Sequence, residues 1–460
     1  MSGYDYHFIA IGGIGQSALA KILLGEGYSV SGSDISHSKY VLELEKLGAK
    51  VFIGHSEDNI IGNPCIVLST AIKEDNPELI KARKLGLKII HRSDLLAEIS
   101  RKYPCFIGFS GTHGKTTTSG LCSYLLSKAG KKPAFAIGGI IPEINTNGDC
   151  EEKYTPYFVA ELDESDGTIL KYQPKITVVN NLEADHFDFY TNGLDDILKT
   201  FGIFLSNLKS DSKVIINVDN SANCELISQN QDKKFITFGI KADADYSAKN
   251  IQYFGLGSKF DVFKNDKLIC QIQLSIPGEH NVYNALAVCV ALIEAGFEIE
   301  EFLPHFLTFS GMGRRFQKVA EFNSITIVDD YAHHPSEIKA TLNAVLNVES
   351  RKVAIFQPHR YSRFVGLYDD FLSSFENADV VFVLDVYAAG EDKISSPNVK
   401  DFAKALEKMG KKAQQITGSI QNSAQEIFKY LQKGDLVFTF GAGDITKMGS
   451  YLNEQYLKNS

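Results

Sequence analysis

Apolar residues fall along this chain in two rhythms. Short apolar runs, bounded by glycine, asparagine or aspartate, alternate with longer stretches in which apolar positions recur every three or four residues. That alternation predicts strand and helix in turn, and hence parallel, doubly wound sheets. Between residues 1 and 100, strands are expected at Tyr6 to Ile11, Tyr28 to Gly32, Lys50–Ile53, Ile66–Ser69 and Lys88–His91, with helices between them, the first over Ser17 to Leu24. From 101 to 312 strands follow at Cys105 to Phe109, Tyr157–Ala160, Ile176–Asn180, Lys213–Val218 and Phe235–Phe238. Between about 246 and 276 the period shortens to two, as in antiparallel hairpins, before a helix over Asn281 to Glu294. Residues 313–460 return to the first rhythm. Strands are expected at Ile325–Val328, Lys352–Phe356, Val380–Leu384 and Leu436–Phe440, with helices at Pro335–Val348, Val399–Met409 and Ile420–Tyr430. The expectation is an α/β chain of three domains: Rossmann-like 1–100, a central nucleotide-binding 101–312 with a mixed sheet, and Rossmann-like 313–460.

Composition narrows the class. A chain of 460 residues suits about three domains. With 44% apolar and 22% charged residues it reads as a globular enzyme. A net charge of −9 offers no general attraction to nucleic acid or anionic lipid. No window approaches the ~20 apolar residues of a membrane span. The start, Met1-Ser2-Gly3-Tyr4-Asp5, lacks the basic n-region of a secretory signal. The seven cysteines are scattered and never form C-x-x-C, which fits reduced thiols in a cytoplasm.

The chemistry concentrates after two strands. Gly111-Thr112-His113-Gly114-Lys115-Thr116-Thr117-Thr118 lies between an apolar run and a helical pattern through Leu121, Tyr124, Leu125 and Lys128. Strand, glycine turn and helix N-terminus make a phosphate cradle: backbone amides and the helix dipole face the anion, Lys115 adds a point charge, and the Thr116 hydroxyl can ligate Mg²⁺. The usual G-x-x-x-x-G-K-T spacing would need glycine at 109, where this chain has Phe109. Nearer the start, Gly12-Gly13-Ile14-Gly15, with Ser17 in the helix and Ser33-Asp34 at the end of the second strand, fits a dinucleotide fingerprint. Asp34 can accept from a ribose hydroxyl or a base N–H. The fingerprint reports a diphosphate, from NAD or from another nucleotide such as UDP. With no hydride-transfer site in view, the second is favoured.

Acidic residues follow the next two strands. Glu161 stands at a strand end beside the cradle, where a Mg²⁺ ligand belongs, with Asp163, Glu164 and Asp166 after it. Glu183-Ala184-Asp185-His186 follows the next strand, and His186 can ligate or orient a second metal.

Together these motifs resemble the Mur ligases, the ATP-dependent amino-acid ligases of peptidoglycan synthesis. Further segments fall in the family's order: Gly278-Glu279-His280-Asn281-Val282-Tyr283-Asn284-Ala285, Gly313-Arg314-Arg315-Phe316, Asp329-Asp330-Tyr331-Ala332-His333-His334-Pro335 and Gln357-Pro358-His359-Arg360-Tyr361-Ser362-Arg363. The resemblance covers the whole chain. It implies that the first domain binds a UDP-sugar, the second ATP and the third an amino acid. By similarity Lys115 meets the β- and γ-phosphates, Thr116 and Glu161 bind one Mg²⁺, and His186 serves a second. His280, Asn281 and Asn284 hold the adenine, and Arg315 reaches the nucleotide. Arg314, pointing elsewhere on a regular backbone, reads as solvated. Tyr331 with His333 or His334 lines the reaction centre, where either histidine is a candidate base. Arg360 and Arg363 suit the muramoyl lactate and amino-acid carboxylates.

The substrates implied are UDP-N-acetylmuramate, ATP and L-alanine, with two Mg²⁺ ions, in a cytoplasmic monomer or weak homodimer. Within the family, the branch that adds a whole tripeptide carries D-E-Y-D, where this chain has Asp163-Glu164-Ser165-Asp166. That favours the branch adding L-alanine. The carbamylated lysine of several Mur ligases would fall at Phe201, with Lys199 off register, so no carbamate is assigned. Rival classes are an NAD-dependent oxidoreductase and a P-loop switch protein.

Overall fold

A computed structural model describes residues 3–186, 189–394 and 396–459. Three sheets carry the chain. The first holds β1 (Tyr6–Ile9), β2 (Val30–Asp34), β3 (Lys50–Ile53), β4 (Cys65–Leu68) and β5 (Ile89–His91), all parallel, in the order β3-β2-β1-β4-β5. Gly32 is required within it: a Cβ there would lie 2.7 Å from the Phe8 carbonyl oxygen.

The second sheet has β6 (Cys105–Ser110), β7 (Ala134–Ile141), β8 (Thr146–Asp149), β9 (Tyr157–Glu161), β10 (Ile176–Val179), β11 (Lys213–Asn217), β12 (Phe235–Gly239), β13 (Tyr246–Phe254), β14 (Gly257–Lys264) and β15 (Lys267–Leu274). Its order is β15-β14-β13-β12-β11-β10-β6-β9-β7-β8. β6 lies parallel between β10 and β9. Its near-continuous apolar run is what burial on both faces requires. The Asn265-Asp266 turn joining β14 to β15 has positive φ at both residues, 45° and 63°, as in a tight two-residue hairpin.

The third sheet holds β16 (Gln317–Phe322), β17 (Ile325–Asp330), β18 (Lys352–Phe356), β19 (Val380–Val383), β20 (Lys412–Gln415) and β21 (Leu436–Phe440), ordered β16-β17-β21-β18-β19-β20. Only β16 runs antiparallel there. Four strands were not expected: β7, and the edge strands β8, β16 and β20; neither Thr-Asn-Gly-Asp of β8 nor Lys-Ala-Gln-Gln of β20 carries an apolar alternation. The helix expected over 335–348 ends at Asn343.

By contacts the chain forms two compact units. One takes residues 1–251, 259–273 and 282–309; the other takes 252–258, 274–281 and 310–460. Inside the first unit the first two sheets share a hydrophobic core that runs from Phe8 through Leu95 and Phe158 to Leu226. No helix of the described residues is long and apolar enough to cross a membrane.

Candidate active site

β6 ends at Ser110, and the helix Lys115–Lys128 begins after a loop that only glycine can close. Gly111 has φ 118°, and a Cβ on it would lie 2.7 Å from the Asn181 carbonyl oxygen. Gly114 has φ 84°, and its Cβ would meet Asn284 Oδ1 at 2.8 Å. Asn181, just past β10, fixes the loop: its carbonyl accepts from Thr112 N, its Oδ1 accepts from His113 N at 2.9 Å, and its Nδ2 donates to His113 O. Gly114 supplies no side-chain cap, so the first-turn amides over Lys115–Thr117 are left for an anion.

Lys115 Nζ folds back on this loop. It donates to Gly111 O at 2.6 Å, Thr112 O at 3.3 Å and Glu164 Oε1 at 2.9 Å. Burial alone would lower its pKa, but Glu164 and Asp163 outweigh that and hold the ammonium above its ordinary range. Glu164 is itself 1% exposed, and its Oε2 has no hydrogen-bond partner among the described residues. Burial pushes its carboxyl up despite Lys115, and the like charge of Asp163 adds to this. Asp163 goes the other way: Lys115 and the Ser165 amide and hydroxyl outweigh burial and lower it.

Glu161 closes β9 and accepts from Gly138 N at 2.9 Å and Ser119 Oγ at 3.4 Å, and the nearby Thr116 hydroxyl helps to lower its pKa. Burial raises its pKa against these donors. Two of the three metal-ligand candidates, Thr116 and Glu161, are therefore neighbours. The third, His186, sits on a left-handed backbone, φ 54°, with Nε2 at 3.9 Å from Glu164 Oε1 and 3.7 Å from Asp185 Oδ2. Among the described residues no three His, Cys, Asp or Glu side chains enclose an ion by themselves. A hydroxyl paired with a carboxylate still fits Mg²⁺, which keeps water and phosphate oxygens for its remaining positions. Lys199, the off-register carbamate candidate, is 71% exposed beside Asp196, and Phe201 is buried.

The helix Glu279–Glu294 carries the three adenine candidates. Asn284 is buried, with the close approach to Gly114 described above. Asn281 is buried and donates to Pro277 O at 2.7 Å. Burial, with Arg315 adding to it, takes His280 down to about 4.

At the first glycine loop, the helix Ile14–Gly25 also starts without a side-chain cap, at Gly13. Asp34 braces that loop: Oδ2 accepts from Gly12 N and Oδ1 from Ser36 N. A Cβ on Gly12 would lie 2.8 Å from Asp34 Oδ2. Ser17 and Ser33 face inward. Ser17 Oγ is held by Ile14 O and Asn147 Nδ2, and Ser33 Oγ donates to Glu78 Oε2 at 2.5 Å. Arg92 was not anticipated. It lies 3.3 Å from where a Gly15 Cβ would be and 3.7 Å from Asp163, a cation beside an uncapped helix start. Its one signal in the sequence is its place directly after β5.

In the other unit, Tyr331 lies between two guanidiniums, Arg314 at 4.8 Å and Arg315 at 5.1 Å from its ring. Arg314 is not simply solvated. It pairs with buried Asp329 and donates to the Gly441 carbonyl, because φ of 61° takes it off a regular backbone. Arg315 pairs with Glu337 at 3.3 Å. Asp330, also unanticipated, is buried, which raises it to about 6 against the pull of Arg315. The two histidines part company. His334 caps the helix Pro335–Asn343 in a capping box with Glu337. His333 Nδ1 lies 3.0 Å from Tyr331 O, and burial lowers its pKa, favouring the neutral ring. Its ring centroid is 5.9 Å from that of His359, which stacks on Tyr387 and lies 3.5 Å from Arg363. Arg360 has φ 67° and precedes the helix Tyr361–Gly366.

Three family models match in succession: "Mur ligase family, catalytic domain" over residues 5–104, "Mur ligase middle domain" over 109–292, and "Mur ligase, glutamate ligase domain" over 314–443. Among curated relatives, the UDP-N-acetylmuramate–L-alanine ligase of Geotalea daltonii is 38% identical over 98% of this chain and 97% of its own length. That of Syntrophotalea carbinolica is 40% identical over 97% of each. The crystal structure of a UDP-N-acetylmuramate–alanine ligase from Thermotoga maritima superposes with a TM-score of 0.83 at 29% identity, covering 99% of this chain and 100% of that one. A murein peptide ligase from Psychrobacter arcticus shares the fold, with a TM-score of 0.69 at 23% identity over 98% of each chain.

Proposed function

This chain belongs to the Mur ligase family, and on that premise we infer that it joins L-alanine to the lactyl carboxylate of UDP-N-acetylmuramate. ATP drives the reaction, in peptidoglycan precursor synthesis. The observation that carries this reading is the uncapped helix start at Gly114, with Lys115 on one side and the Thr116–Glu161 pair on the other. The NAD-dependent oxidoreductase alternative falls, since near-full-length relatives at 38–40% identity are ligases. The D-E-S-D form and those same relatives favour L-alanine over a whole tripeptide.

A carboxylate acylates poorly, so it is first activated. The lactyl carboxylate attacks the γ-phosphorus of ATP, giving an acyl phosphate and ADP. The alanine amine then attacks the acyl carbon, and phosphate leaves. Lys115 and the first-turn amides neutralise charge on the transferring phosphoryl group. Thr116 and Glu161 would hold one Mg²⁺ and His186 would serve a second, and ions bound there would supply further charge neutralisation. The first glycine loop, with Gly12, Gly13, Ile14 and Gly15, takes the UDP diphosphate, and Arg92 adds a cation there. His280, Asn281, Asn284 and Arg315 hold the nucleotide. Arg360 and Arg363 orient the carboxylates. Of the two candidate bases, His333 is the better placed to take the amine proton, since its ring is neutral and His334 is engaged as a helix cap.

The deciding assay is phosphate release, run with L-alanine, glycine, L-serine and the tripeptide in turn. Release should need both UDP-N-acetylmuramate and an amino acid, and be fastest with L-alanine. A P-loop switch would hydrolyse ATP whatever the amino acid, and preference for the tripeptide would reassign the acceptor. Lys115→Ala should abolish release and leave UDP-sugar binding intact.

A further inference from the structure

The Lys115 ammonium has three N–H groups, and the chain itself takes all three. Two go to carbonyls of the phosphate loop, Gly111 O and Thr112 O, and the third goes to Glu164. A phosphate entering the loop must win Lys115 from these partners. The carbonyls are easily left, because neutral acceptors near the loop mouth can be solvated. Glu164 is different. It is 1% exposed, and its Oε2 already lacks any hydrogen-bond partner among the described residues. Among the described residues, its Oε1 has Lys115 at 2.9 Å and otherwise only the His186 ring at 3.9 Å. If Lys115 departs, a carboxylate is left buried with its charge uncompensated, which is among the costlier states a protein can hold.

We propose that Glu164 is a positioning residue that latches Lys115 onto the phosphate loop, releasing it to the γ-phosphate when a divalent cation replaces the lysine against the carboxylate. The orphaned oxygen marks the vacant coordination. Oxygen is the ligand a hard cation prefers, and His186 and Asp185 lie beside it. The exchange is neutral in count: one cationic partner leaves Glu164 and another arrives. Its consequence is thermodynamic coupling. Cation and nucleotide each tighten the other's binding, reciprocally, because each needs the same displacement of Lys115. The latch also disfavours nucleotide held without the metal that makes it reactive.

This rests on the reading of Gly111–Thr117 as the ATP site, and the test separates the two. Binding of a non-hydrolysable ATP analogue is measured calorimetrically on the full chain, in EDTA and in Mg²⁺. In the wild type Mg²⁺ should tighten the analogue strongly, and the analogue should tighten Mg²⁺ by the same factor. Glu164→Gln keeps the shape and removes the charge. It should raise the metal-free affinity about tenfold, the gain expected when a state populated at roughly one part in ten becomes dominant, and shrink the Mg²⁺ enhancement. In a Lys115→Met background, Glu164→Gln should add nothing. A merely structural glutamate would weaken binding in every condition when replaced. The proposal is overturned if folded Glu164→Gln binds metal-free analogue no better than wild type. It is equally overturned if Mg²⁺ changes wild-type affinity by less than about twofold, a result that needs no variant to fold. Wild type that binds no analogue in either buffer would instead sink the ATP-site reading itself.

Discussion

Glu78 and Glu164 are both almost fully buried, and they could hardly be more differently housed. Glu78, from the helix Pro77–Lys84 under the first sheet, has partners on both oxygens. Oε2 accepts from Ser33 Oγ and faces His7 and His55 at 3.6 and 3.5 Å; Oε1 accepts from Asn59 Nδ2 at 2.5 Å. Although burial pushes its pKa up, these donors outweigh it and leave the carboxyl below its ordinary range. Among the described residues, Glu164 has one cation on one oxygen and no hydrogen-bond partner on the other. A saturated buried carboxylate is a finished piece of architecture. An unsaturated one is a socket, stable only while a single movable partner fills half of it. The same contrast recurs in adjacent residues of the other unit. His334 is consumed as a helix cap, whereas His333 turns Nδ1 toward the Tyr331 carbonyl and Glu337 and caps no helix.

The widest separation should come from stability. Glu78→Ala strands the buried donors of Ser33 and Asn59 beside two histidines, and should cost about 3–5 kcal/mol in denaturant unfolding. Glu164→Gln should stay within about 1 kcal/mol of wild type, because it removes a charge that burial already disfavours. Equal losses would erase the distinction. Acid should separate them too. A carboxyl with a depressed folded pKa contributes stability above its unfolded value, here about 4.5, and loses it as pH falls through the lower folded value. Wild-type stability should therefore fall steeply below pH ~4.5, and Glu78→Gln should flatten that slope.

Catalysis should split the histidines. His333→Ala should lower the ligation rate by at least ~100-fold, the usual scale for losing a positioned base. Because burial lowers the His333 pKa, the acidic limb of the wild-type pH–rate profile should lie below the ordinary histidine value of 6.5, and it should vanish in the variant. His334→Ala should leave that limb in place and instead cost about 1 kcal/mol of stability, the scale of a lost N-cap. A shared rate defect would mean that His334 serves the reaction as well as the helix.

What was legible in the sequence divides along the same line. Glycine loops could be read because a phosphate needs them at fixed spacing after a strand, and Gly111 and Gly114 occupy the expected positive-φ turns. Buried parallel strands such as β6 and β18 could be read because they are apolar throughout. The edge strands β8, β16 and β20 could not, since pairing rather than burial defines them. Saturation itself was invisible. Glu164 looked like one acid among several in a turn, and its burial depends on Lys115, 49 positions away. Asn181 and Arg92 were missed for the same reason: their partners lie far off along the chain, at Thr112, His113 and Asp163. Arg314 read as solvent-facing because a regular backbone was assumed where φ is 61°.

The finest test lies at Ser33, which the first fingerprint suggested as a UDP-sugar contact and whose hydroxyl is committed to Glu78 at 2.5 Å and to His55 at 2.9 Å. Ser33→Ala removes one donor from the saturated carboxylate. Glu78 Oε2 keeps His7 and His55 within 3.6 Å, so it does not become a second Glu164. The loss should be about 1 kcal/mol, the net worth of one hydrogen bond, with KM for UDP-N-acetylmuramate moving by less than about twofold. A larger change in KM without a change in stability would place the hydroxyl on the substrate and show that Glu78 is held adequately by its remaining partners. A stability loss approaching that of Glu78→Ala would show instead that the histidines contribute little, and that one serine separates a finished carboxylate from a socket.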